Sequence, residues 1–331
     1  MKLKQFEITL NRKIYAGNHS LSKIYDIVKE LDCKKVVVIT DKNLIKTKSY
    51  EIMRDLVNRC GASIHALCDI EAEPSEVTIS TLYQPDILDS CDLIIGFGGG
   101  SCIDCAKIIS VLPNNPDFFE NIWDTSLITK DGIPTLMIPT TAGTGAEATP
   151  NSILLNTKTN IKTGVISTKF IADYVILDPQ VTVSLPQNLT VSTGFDALAH
   201  SIECYISKKA TPFSDLYAEK SIQLVFENLE LVAKEPDNLI ARENMLLASY
   251  YGGVSIAASS TTAVHAMAYP LSSMFHMSHG LSIAVLLPYV MEYIHEGCSP
   301  LFEQLSYRTK LVDDNNNTSS QVFVNSLFEL A

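Results

Sequence analysis

The first half of the chain alternates short apolar runs with amphipathic stretches. Lys35 to Thr40 (KVVVIT) is a β-branched run of the kind buried on both faces of a parallel sheet. A helical stretch ends near Cys60-Gly61, a short strand follows at Ile64 to Cys68, and Pro74-Ser75 opens another helix. Leu93 to Ile95 reads as a third strand. Gly98, Gly99 and Gly100 lead into a helix from about Ser101, and Thr135 to Ile138 is a further strand. Strands alternating with helices predict an α/β N-terminal domain with a doubly wound, Rossmann-like parallel sheet. Beyond Leu177 the pattern changes. Val191 to Ser207, Ser214 to Ala233 and Arg242 to Ala258 carry helical periodicity, and strand signals largely vanish. The expectation is an α/β domain over 1–182 and an all-α C-terminal domain over 183–331, with Pro179 and Pro186 bracketing the linker.

Composition narrows the classes. At 331 residues the chain is long for one hydrophobic core and needs no staples to fold. Its net charge of −12 argues against non-specific nucleic-acid binding, which requires clustered Lys and Arg. No run reaches the roughly 18 apolar residues of a membrane span. The first thirty residues lack a secretory pattern, so the eight scattered cysteines read as reduced thiols of a cytoplasmic protein. Cys102 and Cys105 form a C-x-x-C pair, but on an apolar helix face and with no second pair they read as packing residues.

Three segments carry chemistry in the first half. Gly96 to Lys107 (GFGGGSCIDCAK) follows a strand and opens a helix, and its glycines let the backbone approach a bulky anion. Ser101 is the expected N-cap, with Asp104 its capping-box partner. The plain alternative is a tight strand–helix turn. Ile138 to Thr149 (IPTTAGTGAEAT) offers four threonine hydroxyls at the expected carboxyl edge of the sheet, suited to a ribose or phosphate contact or simply to a polar loop. Asp41, just past the first clear strand, is placed either to bind ribose hydroxyls and disfavour a 2′-phosphate, or to cap a helix.

The strongest constellation lies in the helical half. Asp196 and His200 are spaced i, i+4 within GFDALAHSIECY and project from one helix face. His265 and His279 follow, with His276 between them. Three imidazoles and one carboxylate form a set suited to Fe²⁺ or Zn²⁺.

Taken in order, these motifs resemble those of the iron-dependent (group III) alcohol dehydrogenases, which have a dehydroquinate-synthase-like fold. The resemblance rests on the Asp41 strand end, GGGSxxDxAK at 98–107, PTTAGTGAE at 139–147 and Lys162 in NIKTG. GFDALAHSIE at 194–203 and VHAMAYPLSSMFHMSHG at 264–280 complete it. It implies that Asp196, His200, His265 and His279 bind one divalent metal, Fe²⁺ or Zn²⁺. It also implies a pyrophosphate turn of Gly98, Gly99, Gly100, Ser101 and Asp104, with Thr140, Thr141, Thr144, Asn151 and Lys162 lining the cofactor site. The implied activity is hydride transfer between NAD(H) and a small alcohol or aldehyde, in a homodimer or higher homo-oligomer. A polyol-phosphate dehydrogenase or sugar-phosphate cyclase of the same fold is the alternative, but no basic cluster for a substrate phosphate lies near the ligands. A catalytically impaired relative is the other.

The sequence departs from the family in three places. Tyr269 occupies the position, four residues after the third ligand, where relatives carry a proton-relaying His, so Tyr269 and His276 become the relay candidates. Glu73 replaces an Asn before the Pro of the second strand–helix turn. The chain is also C-terminally short for the family, which predicts exposed apolar surface on the helical half.

Overall fold

In the computed structural model, which describes residues 5–275, 277–311 and 320–331, the chain divides into two compact units. The first comprises Thr9–Thr141 and Ala146–Ser184. The second comprises Leu185–Ala331 with residues 5–8 and Ala142–Gly145.

The first unit is built on strands β1 (Lys13–Ala16), β2 (Lys35–Ile39), β3 (Ser63–Leu67), β4 (Leu93–Gly98), β5 (Thr135–Pro139) and β8 (Tyr174–Leu177). They form one sheet in the order β1-β8-β5-β4-β2-β3, and every pair is parallel. The central strands are buried throughout, as the continuous β-branched runs predict. Helices α1 (Lys23–Glu30), α2 (Lys48–Arg59), α3 (Glu76–Leu82), α4 (Pro85–Leu88), α5 (Gly100–Val111) and α6 (Pro116–Glu120) connect them. Ile24, Ile27, Met53 and Val57 from α1 and α2 pack on Val36, Val38, Ile95 and Phe97 of the sheet to form one core. An antiparallel hairpin, β6 (Asn151–Asn156) and β7 (Ile161–Ile166), stands apart from the sheet.

Four strands escape the sequence reading. β1 and β8 are four residues each, too short for a periodic signal. The hairpin is rich in Asn, Thr and Lys. Its turn is held by the Asn156 side chain, which accepts from the Lys158 and Thr159 N–H groups, and by Asn160 in the left-handed region at φ 55°.

The second unit consists of α7 (Gln187–Ile206), α8 (Pro212–Lys234), α9 (Leu239–Ala258), α10 (Ala263–Phe275), α11 (His279–Tyr293), α12 (His295–Arg308) and α13 (Ser320–Leu330). Its core joins Leu198 and Ile202 of α7 to Ile222 and Val225 of α8, Leu287 and Met291 of α11, and Phe302 and Phe323. No described helix is long and apolar enough to cross a membrane.

Candidate metal centre and cofactor turn

The metal-ligand candidates converge. Asp196 and His200 lie one turn apart on α7, His265 sits in the first turn of α10, and His279 opens α11. Asp196, His200 and His265 are buried, whereas the His279 side chain keeps 28% exposure and marks the accessible side of the cluster. Asp196 Oδ1 faces three imidazole Nε2 atoms, at 3.4 Å from His265, 3.5 Å from His279 and 3.8 Å from His200. The ligand atoms of Asp196, His265 and His279 all fall within 4.8 Å of one another. His200 stacks on His265, with ring centroids 4.3 Å apart.

A small-residue backbone allows this convergence. A Cβ on Gly280 would sit 2.7 Å from the Ser192 carbonyl oxygen, so only glycine lets the start of α11 meet α7 and bring His279 beside Asp196.

The donor set fits a divalent metal. Asp196 Oδ1 and His265 Nε2 are both fully buried and make no hydrogen bond among the described residues. Such atoms are costly unless a cation satisfies them. Four tetrahedral ligands at about 2.1 Å from an ion lie about 3.4 Å from one another, close to the observed spacings. Burial alone pushes the Asp196 carboxyl up, but the surrounding imidazoles hold it well below the usual carboxylate range. Burial presses His200 down to about 4, which keeps it neutral and able to ligate. Burial also opposes the charged form of His265, yet the Asp196 and Glu203 carboxylates raise it to about 9. Without a metal, that imidazole is the cation between two acids.

Glu203 is the residue that sequence reading missed. It lies fully buried on α7 and reaches the Nδ1 of His265. The signal was its spacing: seven residues beyond Asp196 is about two helical turns, hence the same face.

In the first unit, Asp41, Gly98–Gly100 and Thr140–Thr141 follow β2, β4 and β5, three neighbouring strands at their carboxyl ends. The sheet reverses its strand order beside β2 and β4, the position where open α/β sheets bind ligands. Gly99 is the N-cap of α5, and its carbonyl accepts from Cys102 and Ile103. This corrects the capping box: Ser101 lies inside the helix and donates to the Ala72 carbonyl at 2.7 Å. Asp104 points into the interior instead, accepting from the Ile153 N–H at 3.0 Å, with Lys107 Nζ 3.8 Å away. It is therefore not at the turn's surface. The physical reason is that the glycine run itself satisfies the cap, leaving the carboxylate to pin β6.

A Cβ on Gly98 would lie 2.5 Å from Cys102 Sγ, so the turn cannot accept a side chain there. Asp41 Oδ1 accepts from the Asn43 and Leu44 N–H groups, which places the carboxylate as a turn cap. Asn151 offers its carbonyl to Lys107, and Lys162 pairs with Glu73 at 2.7 Å. Thr144 belongs to the helical unit. Cys102 and Cys105 are buried free thiols on α5, with Cys102 pushed up to about 12 by burial. Tyr269 stacks on His279, with centroids 5.9 Å apart. His276 lies outside the described residues.

Comparison with known proteins decides the family. Residues 11–179 match the profile of iron-containing alcohol dehydrogenases, and residues 190–331 match the profile of the C-terminal part of the Fe-containing alcohol dehydrogenase family. The chain belongs to the iron-containing alcohol dehydrogenase family. It is 38% identical over 289 residues to Long-chain-alcohol dehydrogenase 1 of Geobacillus thermodenitrificans, covering 86% of this chain and 72% of that protein. It is 28% identical over 277 residues to the NAD-dependent methanol dehydrogenase of Bacillus methanolicus, covering 84% and 73%. The crystal structure of a 1,3-propanediol oxidoreductase superposes with a TM-score of 0.93 at 28% identity, covering 99% of this chain and 86% of that one. This iron-containing alcohol dehydrogenase is thus an oxidoreductase of the expected family and fold.

Proposed function

We propose that this enzyme transfers a hydride between NAD(H) and a small alcohol or aldehyde, with one divalent metal, Fe²⁺ or Zn²⁺, held by Asp196, His200, His265 and His279. The observation that carries the reading is the buried Asp196 Oδ1, without a hydrogen bond among the described residues and facing three imidazole nitrogens. When bound, the metal supplies Lewis acidity toward the substrate oxygen, and the nicotinamide supplies or accepts the hydride.

The chain's own residues bind and orient. Gly98, Gly99, Gly100 and Ser101 offer the first-turn N–H groups and positive end of α5 to the pyrophosphate. Thr140, Thr141, Thr144, Asn151 and Lys162 are assigned to the rest of the dinucleotide, with Asp41, which caps its turn through Oδ1, favouring NAD over NADP by its charge. Asp104 acts behind the turn, pinning α5 to β6. Tyr269, stacked on His279, and His276 are assigned to proton movement. A neutral imidazole suits that task near pH 7 better than a phenol, whose ordinary pKa is about 10. We assign the protein to the cytoplasm as a homo-oligomer.

The test joins metal analysis to a panel of short alcohols and aldehydes with NADH and NADPH. The expected outcome is about one metal per chain, NADH preferred, and both metal and turnover lost in His279→Ala. A fully metallated and active His279→Ala enzyme overturns the assignment.

A further inference from the structure

We propose that Glu203 is the positioning residue of the metal site, fixing the tautomer and orientation of His265 while capping the helix that carries it. The inference rests on the metal reading above.

Glu203 is fully buried, and its carboxylate receives four contacts. Oε1 accepts from the Thr262 hydroxyl at 2.7 Å and from the Val264 N–H at 2.7 Å. Oε2 accepts from the His265 N–H at 3.4 Å and lies against His265 Nδ1. A carboxylate taking this many donors acts only as an acceptor, so the Nδ1 it meets carries the proton. In the neutral ring the lone pair is then left on Nε2. That atom is buried, makes no hydrogen bond among the described residues and lies 3.4 Å from Asp196 Oδ1. Two acceptors so placed repel unless a cation stands between them: a second ring proton in the metal-free protein, or the metal in its place. Glu203 therefore sets which nitrogen of His265 is offered to the metal.

The same carboxylate ties two helices together. Val264 and His265 lie in the first turn of α10, where backbone N–H groups have no intrahelical partner. Glu203 supplies that partner from α7 and adds negative charge at the positive end of α10. The helix bearing Asp196 and His200 is thus fastened to the helix bearing His265 at the point where all three ligands meet.

These two roles separate experimentally. In Glu203→Gln the amide oxygen can still accept from Thr262 and Val264, but the amide nitrogen then faces Nδ1–H, donor against donor. The ring escapes by moving its proton to Nε2, the atom the metal needs. On metal-free protein, Zn²⁺ affinity is measured by competition with a chromophoric chelator, beside the thermal melt of the same samples. Glu203→Gln is expected to bind Zn²⁺ about 10–100-fold more weakly while melting near the wild-type temperature. The visible spectrum of its Co²⁺ form should also change. Wild-type Zn²⁺ affinity in Glu203→Gln overturns the proposal, as does a lowered melt with unchanged affinity, which would make Glu203 a helix cap alone. Should the amide variant not fold, Glu203→Asp serves. It keeps the charge but withdraws it by one methylene, and wild-type affinity there is equally contrary. A wild-type chain that takes up no Zn²⁺ would instead overturn the metal reading itself, leaving Glu203 only its cap.

Discussion

At the scale of single residues, the first unit contains a second buried charged group with no part in the proposed chemistry. Lys107 Nζ donates to the Asn151 carbonyl at 2.6 Å and to Thr149 Oγ1 at 3.1 Å, with Asp104 3.8 Å away. Glu147 is buried nearby, and neither of its carboxylate oxygens makes a hydrogen bond among the described residues. Burial raises Asp104 to about 6 and Glu147 to about 7, only partly offset by Lys107, and burial lowers Lys107 to about 8. The sign follows from linkage. A carboxyl raised in the folded state stabilises below its unfolded value and loses that contribution as pH rises through its folded value. Lys107, being lowered, works in a higher window and loses its contribution as pH falls from its unfolded value through about 8. Glu147→Gln removes the ionisation while keeping the shape. The variant should melt with wild type near pH 5, where Glu147 is protonated, and above wild type at pH 8. Calorimetric melts of both proteins at the two values check this, and a variant that melts at or below wild type at pH 8 contradicts it.

At the scale of elements, the site depends on how closely helix backbones approach. Gly280→Ala would place a Cβ 2.7 Å from the Ser192 carbonyl oxygen and 2.9 Å from its carbon, and backbone atoms have no rotamer with which to yield. The start of α11 must then move off α7, carrying His279 with it. The expected outcome is a turnover loss of about 10²-fold with reduced metal content, larger than the loss of thermal stability. Full metal and full turnover in Gly280→Ala would show that α11 has slack. This dependence also explains which elements were legible in the sequence. The Asp196–His200 pair could be read because a helix converts a spacing of four into one face. The strands Lys35–Ile39 and Thr135–Pro139 could be read because both faces are buried. Ser101 was misread as a cap because the motif S-x-x-D is local, whereas its hydroxyl partner, the Ala72 carbonyl, is far away in sequence. Glu203 went unassigned for the same reason: its partners at 262–265 lie some sixty residues downstream, and only packing brings them together. The hairpin Asn151–Ile166 carries no apolar alternation strong enough to announce it.

At the scale of the whole molecule, the helical unit leaves an apolar face uncovered. Leu281, Val285, Tyr289 and Tyr293 recur every four residues along α11 and are 47%, 49%, 62% and 89% exposed. A repeat of four turns about 40° per step relative to 3.6 residues per turn, so these side chains form a broad oblique stripe along one side of the helix. The opposite side, with Ile283, Leu287 and Met291, is buried in the core. Phe328 of α13 extends the stripe, its ring edge-on to Tyr289 at 5.2 Å. Glu292 is the only charged residue of α11, so the stripe carries little to oppose association. Exposed apolar patches of more than a few hundred Å² on soluble proteins mark contact surfaces. The expectation, consistent with the homo-oligomer assignment, is that a second copy covers this face. Light scattering should report a mass that rises with concentration, and a hydrophobic dye should compete with association. The double variant Val285→Glu, Tyr289→Glu places like charges on the stripe and should be monomeric with low dye response. Because both side chains lie on the exposed side of α11, opposite Ile283, Leu287 and Met291, the variant's metal content should match wild type. A wild-type chain that stays a monodisperse monomer, binds no dye and melts cooperatively would mean that the stripe is tolerated in water, and that association, if any, uses another surface.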